Sequence, residues 1–173
     1  MIKIESLNPE HASALNELIK VGLREYPTSF TTDLSGIEDR PDQVVADHLR
    51  SLQSSDDFRL GAFYGSGKLV GTVRLIRQQS PKQLHAADVV FLFVHREYQN
   101  QGIGRLLMAS AIEKAKEVRG LELLYLSVSL DSKAAIRLYE KVGFVPTGVI
   151  KRQIKISNKY YDLSTMWLPL DDA

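Results

Sequence analysis

Between Val89 and Leu107 this chain reads as an apolar strand ending at Val94, a polar turn, and two glycines, Gly102 and Gly104, that open an amphipathic helix. No other stretch restricts the fold as much. A helix begins with backbone N–H groups that lack partners inside the helix and carry the positive end of its dipole. Glycines without a Cβ let an anion approach that backbone closely. The junction is a candidate cradle for a phosphate or pyrophosphate near the middle of the chain.

Three phosphate-binding patterns compete for it. A P-loop needs G-x-x-x-x-G-K-S/T, and the chain's Gly-Lys pair is Gly67-Lys68. Ala62 stands where the first glycine belongs and Leu69 follows the lysine, so both ends fail. A dinucleotide fingerprint needs a third small residue where Leu107 stands, and Glu122 opens an apolar run instead of ending a strand. The third pattern fits: Gln99-Asn100-Gln101-Gly102-Ile103-Gly104 has the form Q/R-x-x-G-x-G/A after a hydrophobic strand. Further on, Ala135-Ile136-Arg137-Leu138-Tyr139-Glu140-Lys141-Val142-Gly143-Phe144 has the form A-x-x-L-Y-x-x-x-G-F. Together, in this order and separation, they resemble the two signatures of the GNAT superfamily of acetyl-CoA-dependent N-acetyltransferases.

Bulk properties agree with that resemblance. A length of 173 residues suits a single domain over 1–173 with a substantial core. Hydrophobic residues at 44% and charged ones at 25% are ordinary for a globular chain, and a net charge of +1 leaves no basic excess to drive nucleic-acid binding. With no cysteine, disulfides, thiolate metal sites and a cysteine nucleophile are excluded. Met1 to Leu7 alternates like a strand and lacks the apolar run of a signal peptide. No stretch approaches the roughly 18 apolar residues of a membrane span, so the expected location is the cytoplasm.

Along the chain, Asn8-Pro9 starts a helix carrying Ala12, Leu15, Leu18 and Ile19 on one side. Tyr26 to Asp42 is irregular, and Gln43 to Leu52 is a second helix. Strands at Phe58–Tyr64 and Lys68–Ile76 flank the hairpin turn Gly65-Ser66-Gly67. Asp88 to Val94 is apolar enough for a central strand covered on both faces. The helix after Gly102 runs to Val118 and closes at Arg119-Gly120. A strand at Leu123–Val128, a short helix capped by Asp131 or Ser132 and ended by Gly143, and two strands around Ser157-Asn158-Lys159 complete the order β-α-α-β-β-β-α-β-α-β-β. The resemblance implies a mixed α/β fold of the GNAT type: a central, largely antiparallel sheet with splayed parallel strands, flanked by helices.

By the same resemblance, the backbone of Gln99, Asn100, Gln101, Gly102, Ile103, Gly104 and Arg105 anchors acetyl-CoA. Gln99 stands where many members of the family have arginine, which removes one cationic contact. The pantetheine arm is expected beside the preceding strand, in a gap between splayed strands. There the backbone around Phe93 and Val94 bonds the arm and meets the thioester oxygen, a donor worth about 10²–10³-fold in rate. Tyr139 matches the general acid that protonates the leaving thiolate, and its phenol, of pKa near ~10, is protonated at neutral pH. It also lies on the apolar stripe of its helix, where the alternative is a packed core residue. Ser132 occupies the place of an asparagine that helps hold the cofactor arm or the departing sulfur, or it caps its helix. Asp88 is the candidate general base, and otherwise a solvated strand-end acid.

His11, His48, His85 and His95 lack metal-ligand spacing, so no metal is expected, and His95 alone lies beside the predicted cleft. Tyr26, Phe30, Asp33 and Tyr161 are candidates for the acceptor pocket by position, and Asp33, Glu38 and Asp39 could attract a cationic amine. The function implied is acetyl transfer from acetyl-CoA to a primary amine of a small molecule, amino-acid derivative or peptide, by direct attack in a ternary complex. A non-catalytic acyl-CoA-binding module and a transferase of longer acyl groups are the alternatives. Neither nucleic acid nor membrane is an expected partner. A homodimer through the C-terminal hairpin is compatible with the family.

Overall fold

In the computed structural model, which describes residues 1–170, seven strands form one sheet. They are β1 (Ile2–Ser6), β2 (Phe58–Tyr64), β3 (Lys68–Arg77), β4 (Ala86–Val94), β5 (Leu123–Ser129), β6 (Val145–Ile156) and β7 (Lys159–Pro169). The spatial order is β1-β2-β3-β4-β5-β7-β6. Every neighbouring pair is antiparallel except β4 and β5. The single domain expected over 1–173 includes 171–173, which lie outside the described residues.

One geometric fact about this sheet positions everything else. The parallel pairing of β4 with β5 holds only where Ala86, Ala87 and Asp88 face Leu123, Leu124 and Tyr125. Beyond that, β4 stays with β3 and β5 stays with β7, so a wedge opens between them. A bulge assists. Thr72 faces Phe93 and Arg74 faces Val90, so Phe91 and Leu92 together oppose Val73. Phe91 takes the left-handed conformation that this extra residue demands, at φ 52°. Bulges bend a strand and increase its twist, and they recur beside active sites.

Helices cover the two faces. Helix α3 (Ile103–Lys116) buries Ile103, Leu107, Met108, Ala111 and Ala115 against Leu60, Val73, Leu75 and Val89 of the sheet. The short α4 (Lys133–Lys141) joins the same core through Tyr139, with Phe144 following. On the opposite face α1 (Ala12–Glu25) and α2 (Asp42–Leu52) form a second core with Leu69 and Phe93. Asn16 of α1, 1% exposed, pins the irregular 26–42 segment: its Nδ2 donates to the Arg40 carbonyl at 2.9 Å and to Asp42 Oδ1 at 2.7 Å.

The element order agrees with the sequence pattern throughout, and the departures are local. Pro9 opens a 3₁₀ turn, Pro9–His11, before α1 proper begins at Ala12. Leu34–Gly36 adds another within the irregular segment. Helix α3 stops at Lys116 instead of Val118, and Gly120 takes its left-handed turn (φ 74°) after the helix has ended. Strand β4 begins at Ala86 and is covered on both faces, Val89 joining the α3 core and Phe93 the α1–α2 core, but Val90, Phe91, Leu92 and Val94 remain half-buried because the wedge removes the strand beside them. Strand β6 is an almost wholly exposed edge, broken by two register shifts of the kind that discourage edge pairing.

Candidate active site

The wedge is a cavity of about 1070 Å³ that passes from the start of α3 to the face under α1 and α2. At one mouth stands the start of α3. Gly102 occupies the N-cap position at φ 78° with no side-chain cap, so the first N–H groups of the helix are left for solvent or an anion. A Cβ on Gly102 would meet nothing within 4 Å, whereas one on Gly104 would meet Leu138 Cδ1 at 3.0 Å. The two glycines therefore do different work. Gly102 supplies a conformation that costs other residues about 1–2 kcal/mol, and Gly104 lets α3 and α4 pack closely.

Gln99, Asn100, Gly102, Ile103, Gly104 and Arg105 all line the cavity, while Gln101 lies outside its lining, its amide 3.4 Å from the Glu97 carbonyl. Asn100, at φ 60°, makes the left-handed step before the glycines. Gln99 is used as a brace: its Nε2 donates to the Val94 carbonyl at 2.9 Å and to the Tyr26 hydroxyl at 3.0 Å. That amide ties the end of β4 to the turn and to α1's C-terminus at once.

Along the wedge, Val94 and Phe93 line the wall. The His95 N–H donates to the Val70 carbonyl in β3 at 2.8 Å. Successive residues of a strand turn their backbone groups to opposite neighbours, so Val94 presents its N–H away from β3, toward the opening. Phe93 faces Thr72 in the ladder and packs its ring against Gly22 of α1, where an added Cβ would sit 3.1 Å from Phe93 Cγ.

Tyr139 is at once core and wall. It is 9% exposed, its ring lies 6.1 Å from that of Phe144, and it borders the cavity. Burial pushes its phenol up to about 12, so it holds its proton across any physiological pH. Ser132 also lines the cavity, but it does not cap α4: no hydrogen bond runs from its side chain to the helix N–H groups. Its hydroxyl instead pairs with that of Ser29 at 3.2 Å, across to the irregular segment. Backbone turns from Ser129 to Lys133 already set the helix start, which frees the side chain.

Asp88 is the third residue of β4 and lies inside the cavity, not at a solvated strand end. Burial raises its carboxyl above the usual carboxylate range, and a hydrogen bond from Gln78 Nε2 partly offsets that rise. Tyr26 and Phe30 line the cavity on its α1–α2 side. Asp33, Glu38, Asp39, Tyr161 and His95 are not part of its lining. Position in sequence did not point to Arg59, Arg74 or Phe91, which are. Among the described residues no cluster of three metal-ligating side chains occurs, and no helix is long and apolar enough to cross a membrane.

Residues 21–144 match the acetyltransferase (GNAT) family, and the chain belongs to it. A GNAT-family acetyltransferase from Streptococcus pneumoniae superposes with a TM-score of 0.87 at 30% identity, over 98% of this chain and 99% of that one. Among characterised relatives, a spermidine N(1)-acetyltransferase of Vibrio cholerae is 28% identical over 100 residues, 58% of this chain and 56% of that protein. An L-amino acid N-acetyltransferase of Escherichia coli is 30% identical over 96 residues, 56% of this chain and 59% of that protein. The chain thus spans about half the length of the curated relatives it matches.

Proposed function

We propose that the protein transfers an acetyl group from acetyl-CoA to a primary amine by direct attack in a ternary complex. The observation that carries this reading is the wedge between β4 and β5, continuous from the uncapped start of α3 to the opposite face of the sheet. A donor bound along β4 and an acceptor entering from the α1–α2 side would meet within it. The related proteins named for spermidine and for L-amino acids fit amine acceptance in general and differ on which amine.

Acetyl-CoA would supply an activated acyl carbon with a thiolate leaving group. The free N–H groups of Gly102, Ile103, Gly104 and Arg105 hold its pyrophosphate, with the helix dipole behind them. The Val94 N–H points at the thioester oxygen, where negative charge develops. Asp88 takes one proton from the acceptor ammonium, because an amine of pKa near ~10 has no free lone pair at neutral pH. Tyr139 gives its proton to the departing sulfur and regains one from the nitrogen that has become an amide. With no cysteine in the chain, no thiol can carry the acyl group between donor and acceptor. A homodimer through the C-terminal hairpin belongs to this reading, and sedimentation velocity tests it.

The decisive test is thermal unfolding with acetyl-CoA, with NADH and ATP as controls. A ligand at one hundred times its dissociation constant adds about 2.7 kcal/mol, which raises Tm by roughly 5–10 °C for a chain of this size. A shift with acetyl-CoA alone, followed by thiol release on adding amines, is expected. A shift with NADH in its place overturns the reading, and acetyl-CoA binding without transfer to any amine would leave a binding module instead.

A further inference from the structure

On the α1–α2 face of the sheet, two arginines sit side by side, and among the described residues neither is ion-paired with a carboxylate. Arg59 on β2 lies directly opposite Arg74 on β3, so both side chains leave the same face. Arg74 in turn faces Val90 on β4, and Asp88 lies two residues along on that same face. Arg59 is 7% exposed, and its guanidinium lies over the Phe91 ring at 5.8 Å. Both arginines line the cavity.

A buried guanidinium is normally paired with a carboxylate. These two are not. Their Nε atoms are buried with no hydrogen-bond partner, and among the described residues neither forms a salt bridge. Asp57, the acid whose charge reaches Arg74, already accepts the Arg77 N–H at 2.8 Å. His48 on α2, near enough to feel both arginine charges, is also partnerless at its buried Nε2, and burial together with those charges holds it toward the neutral form. Burial and the facing Arg74 pull Arg59 down to about 9. The patch is electrostatically incomplete as it stands.

We propose that Arg59 and Arg74 form an anion subsite for the carboxylate of the acceptor, which is therefore a free amino acid or similar amino-carboxylate. This rests on the acetyl-transfer reading and narrows it. Two guanidiniums offer several N–H donors in planar forks that match a carboxylate. Asp88 sits diagonally from Arg74 across the β3–β4 ladder, about 7–8 Å between Cα atoms for such a pair. Long arginine side chains on one side and a short carboxylate on the other suit a zwitterion, with its carboxylate on the arginines and its ammonium toward Asp88. The stacked rings of Phe30 and Phe91, 4.3 Å apart, stand beside them as an apolar wall. A polyamine would bring further positive charge to two unpaired cations. An internal peptide N-terminus lacks the carboxylate at that distance.

The test compares each L-amino acid with its carboxamide and its decarboxylated amine, with spermidine as a polycation, by thiol release from acetyl-CoA. The chain has no cysteine, so no protein thiol contributes background. At least one free amino acid is expected to exceed its amide and amine in kcat/KM by about 30-fold or more. Arg59→Met and Arg74→Gln are each expected to collapse that preference through KM. Arg59→Met removes a buried unpaired charge, so it should fold at least as well as the parent. An independent readout uses no catalysis: N-acetyl-amino acids should raise Tm where their methyl esters do not, and Arg59→Met should abolish the difference. Preference for spermidine or uncharged amines, equal Tm shifts by acid and ester, or a preference that survives both substitutions overturns the subsite. Failure of acetyl-CoA itself to bind would instead strike the transferase reading, which the acid-and-ester comparison does not depend on.

Discussion

The two ends of the cavity are built by different means. At the α3 end the polar groups are backbone: uncapped N–H groups after Gly102, a left-handed Asn100, and the Val94 N–H released by the splay of β4 from β5. Under α1 and α2 they are side chains, Arg59, Arg74 and Asp88, contributed by three different strands. A backbone site accepts a constant ligand part such as a pyrophosphate and constrains few residue identities beyond its glycines. A side-chain site can change its charge by one substitution. The first architecture suits a common donor and the second a particular acceptor.

If the acceptor end works through its side chains, Asp88→Asn should have the largest single effect. Loss of a general base typically costs 10²–10⁴-fold, so kcat/KM at pH 7 should fall by about 10²-fold or more. The deficit should shrink as pH rises and more of the amine becomes neutral. In the parent protein the active form is the Asp88 carboxylate, so activity should rise with pH through a limb lying above the ordinary carboxylate range, and the variant should lack that limb. Stability runs the other way. A carboxyl whose folded pKa is raised favours the fold at low pH, and that contribution is lost as pH climbs through the folded pKa. Asp88→Asn should therefore not lower Tm at pH 7. A pH–rate profile of unchanged shape would remove Asp88 from the mechanism.

The same division governs what could be read from the sequence. Gly102 and Gly104 announce themselves through the local conformation of a strand-to-helix turn, and Tyr139 through its resemblance to the A-x-x-L-Y-x-x-x-G-F signature. The element order was legible for the same reason, through periodicity and turn glycines such as Gly65 and Gly143. Arg59 and Arg74 are separated in sequence and become neighbours only through the β2–β3 register, so each alone reads as a polar position in an apolar strand. The openness of β4 was hidden too. Its apolar run predicts two covered faces, which it has, and only the short pairing with β5 reveals that one edge of the strand is left unpaired. Ser132 misled in the opposite sense, since its place before α4 suggests a cap that the surrounding backbone turns make unnecessary.

Tyr139 stands at the seam of the two ends, and Tyr139→Phe should have the next largest effect. A thiolate of pKa about 8.5 leaves more readily than an ammonium loses its proton, so the penalty should be nearer the lower limit of acid catalysis, about 10²-fold in kcat. Acetyl-CoA affinity should stay within about twofold, because no hydrogen bond ties the phenol to another described residue and the donor is held by backbone. With the phenol pushed up to about 12, the parent should show no basic limb from this group below about pH 10. Equal kcat for the variant and the parent would return Tyr139 to the core alone.

At the donor end, Gly102→Ala and Gly104→Ala separate conformation from packing. Alanine at 102 fits sterically but must hold φ 78°, which should cost about 1 kcal/mol and weaken acetyl-CoA binding several-fold. Alanine at 104 needs no unusual conformation but must displace Leu138 Cδ1 from 3.0 Å, so it should move α4 and reach Tyr139. Isothermal titration should find the affinity loss in the first variant, and steady-state kinetics the kcat loss in the second. Equal losses of both parameters in both variants would merge the two roles.

The smallest effect expected is that of Ser132→Ala. A serine acting as a helix cap contributes about 1 kcal/mol, whereas a half-buried pair of hydroxyls that water can still replace contributes little. Because the Ser132 hydroxyl meets Ser29 and not the N–H groups of α4, the substitution should cost less than about 0.5 kcal/mol, a Tm change within about 2 °C. What it does remove is a link between the irregular 26–42 segment and the start of α4, one from each side of the cavity. Ser29→Ala should therefore reproduce its effect, and the double substitution should add nothing to either single one. A loss of 1 kcal/mol in Ser132→Ala alone, unmatched by Ser29→Ala, would give the side chain back to the helix and leave the cavity's two sides without this tie.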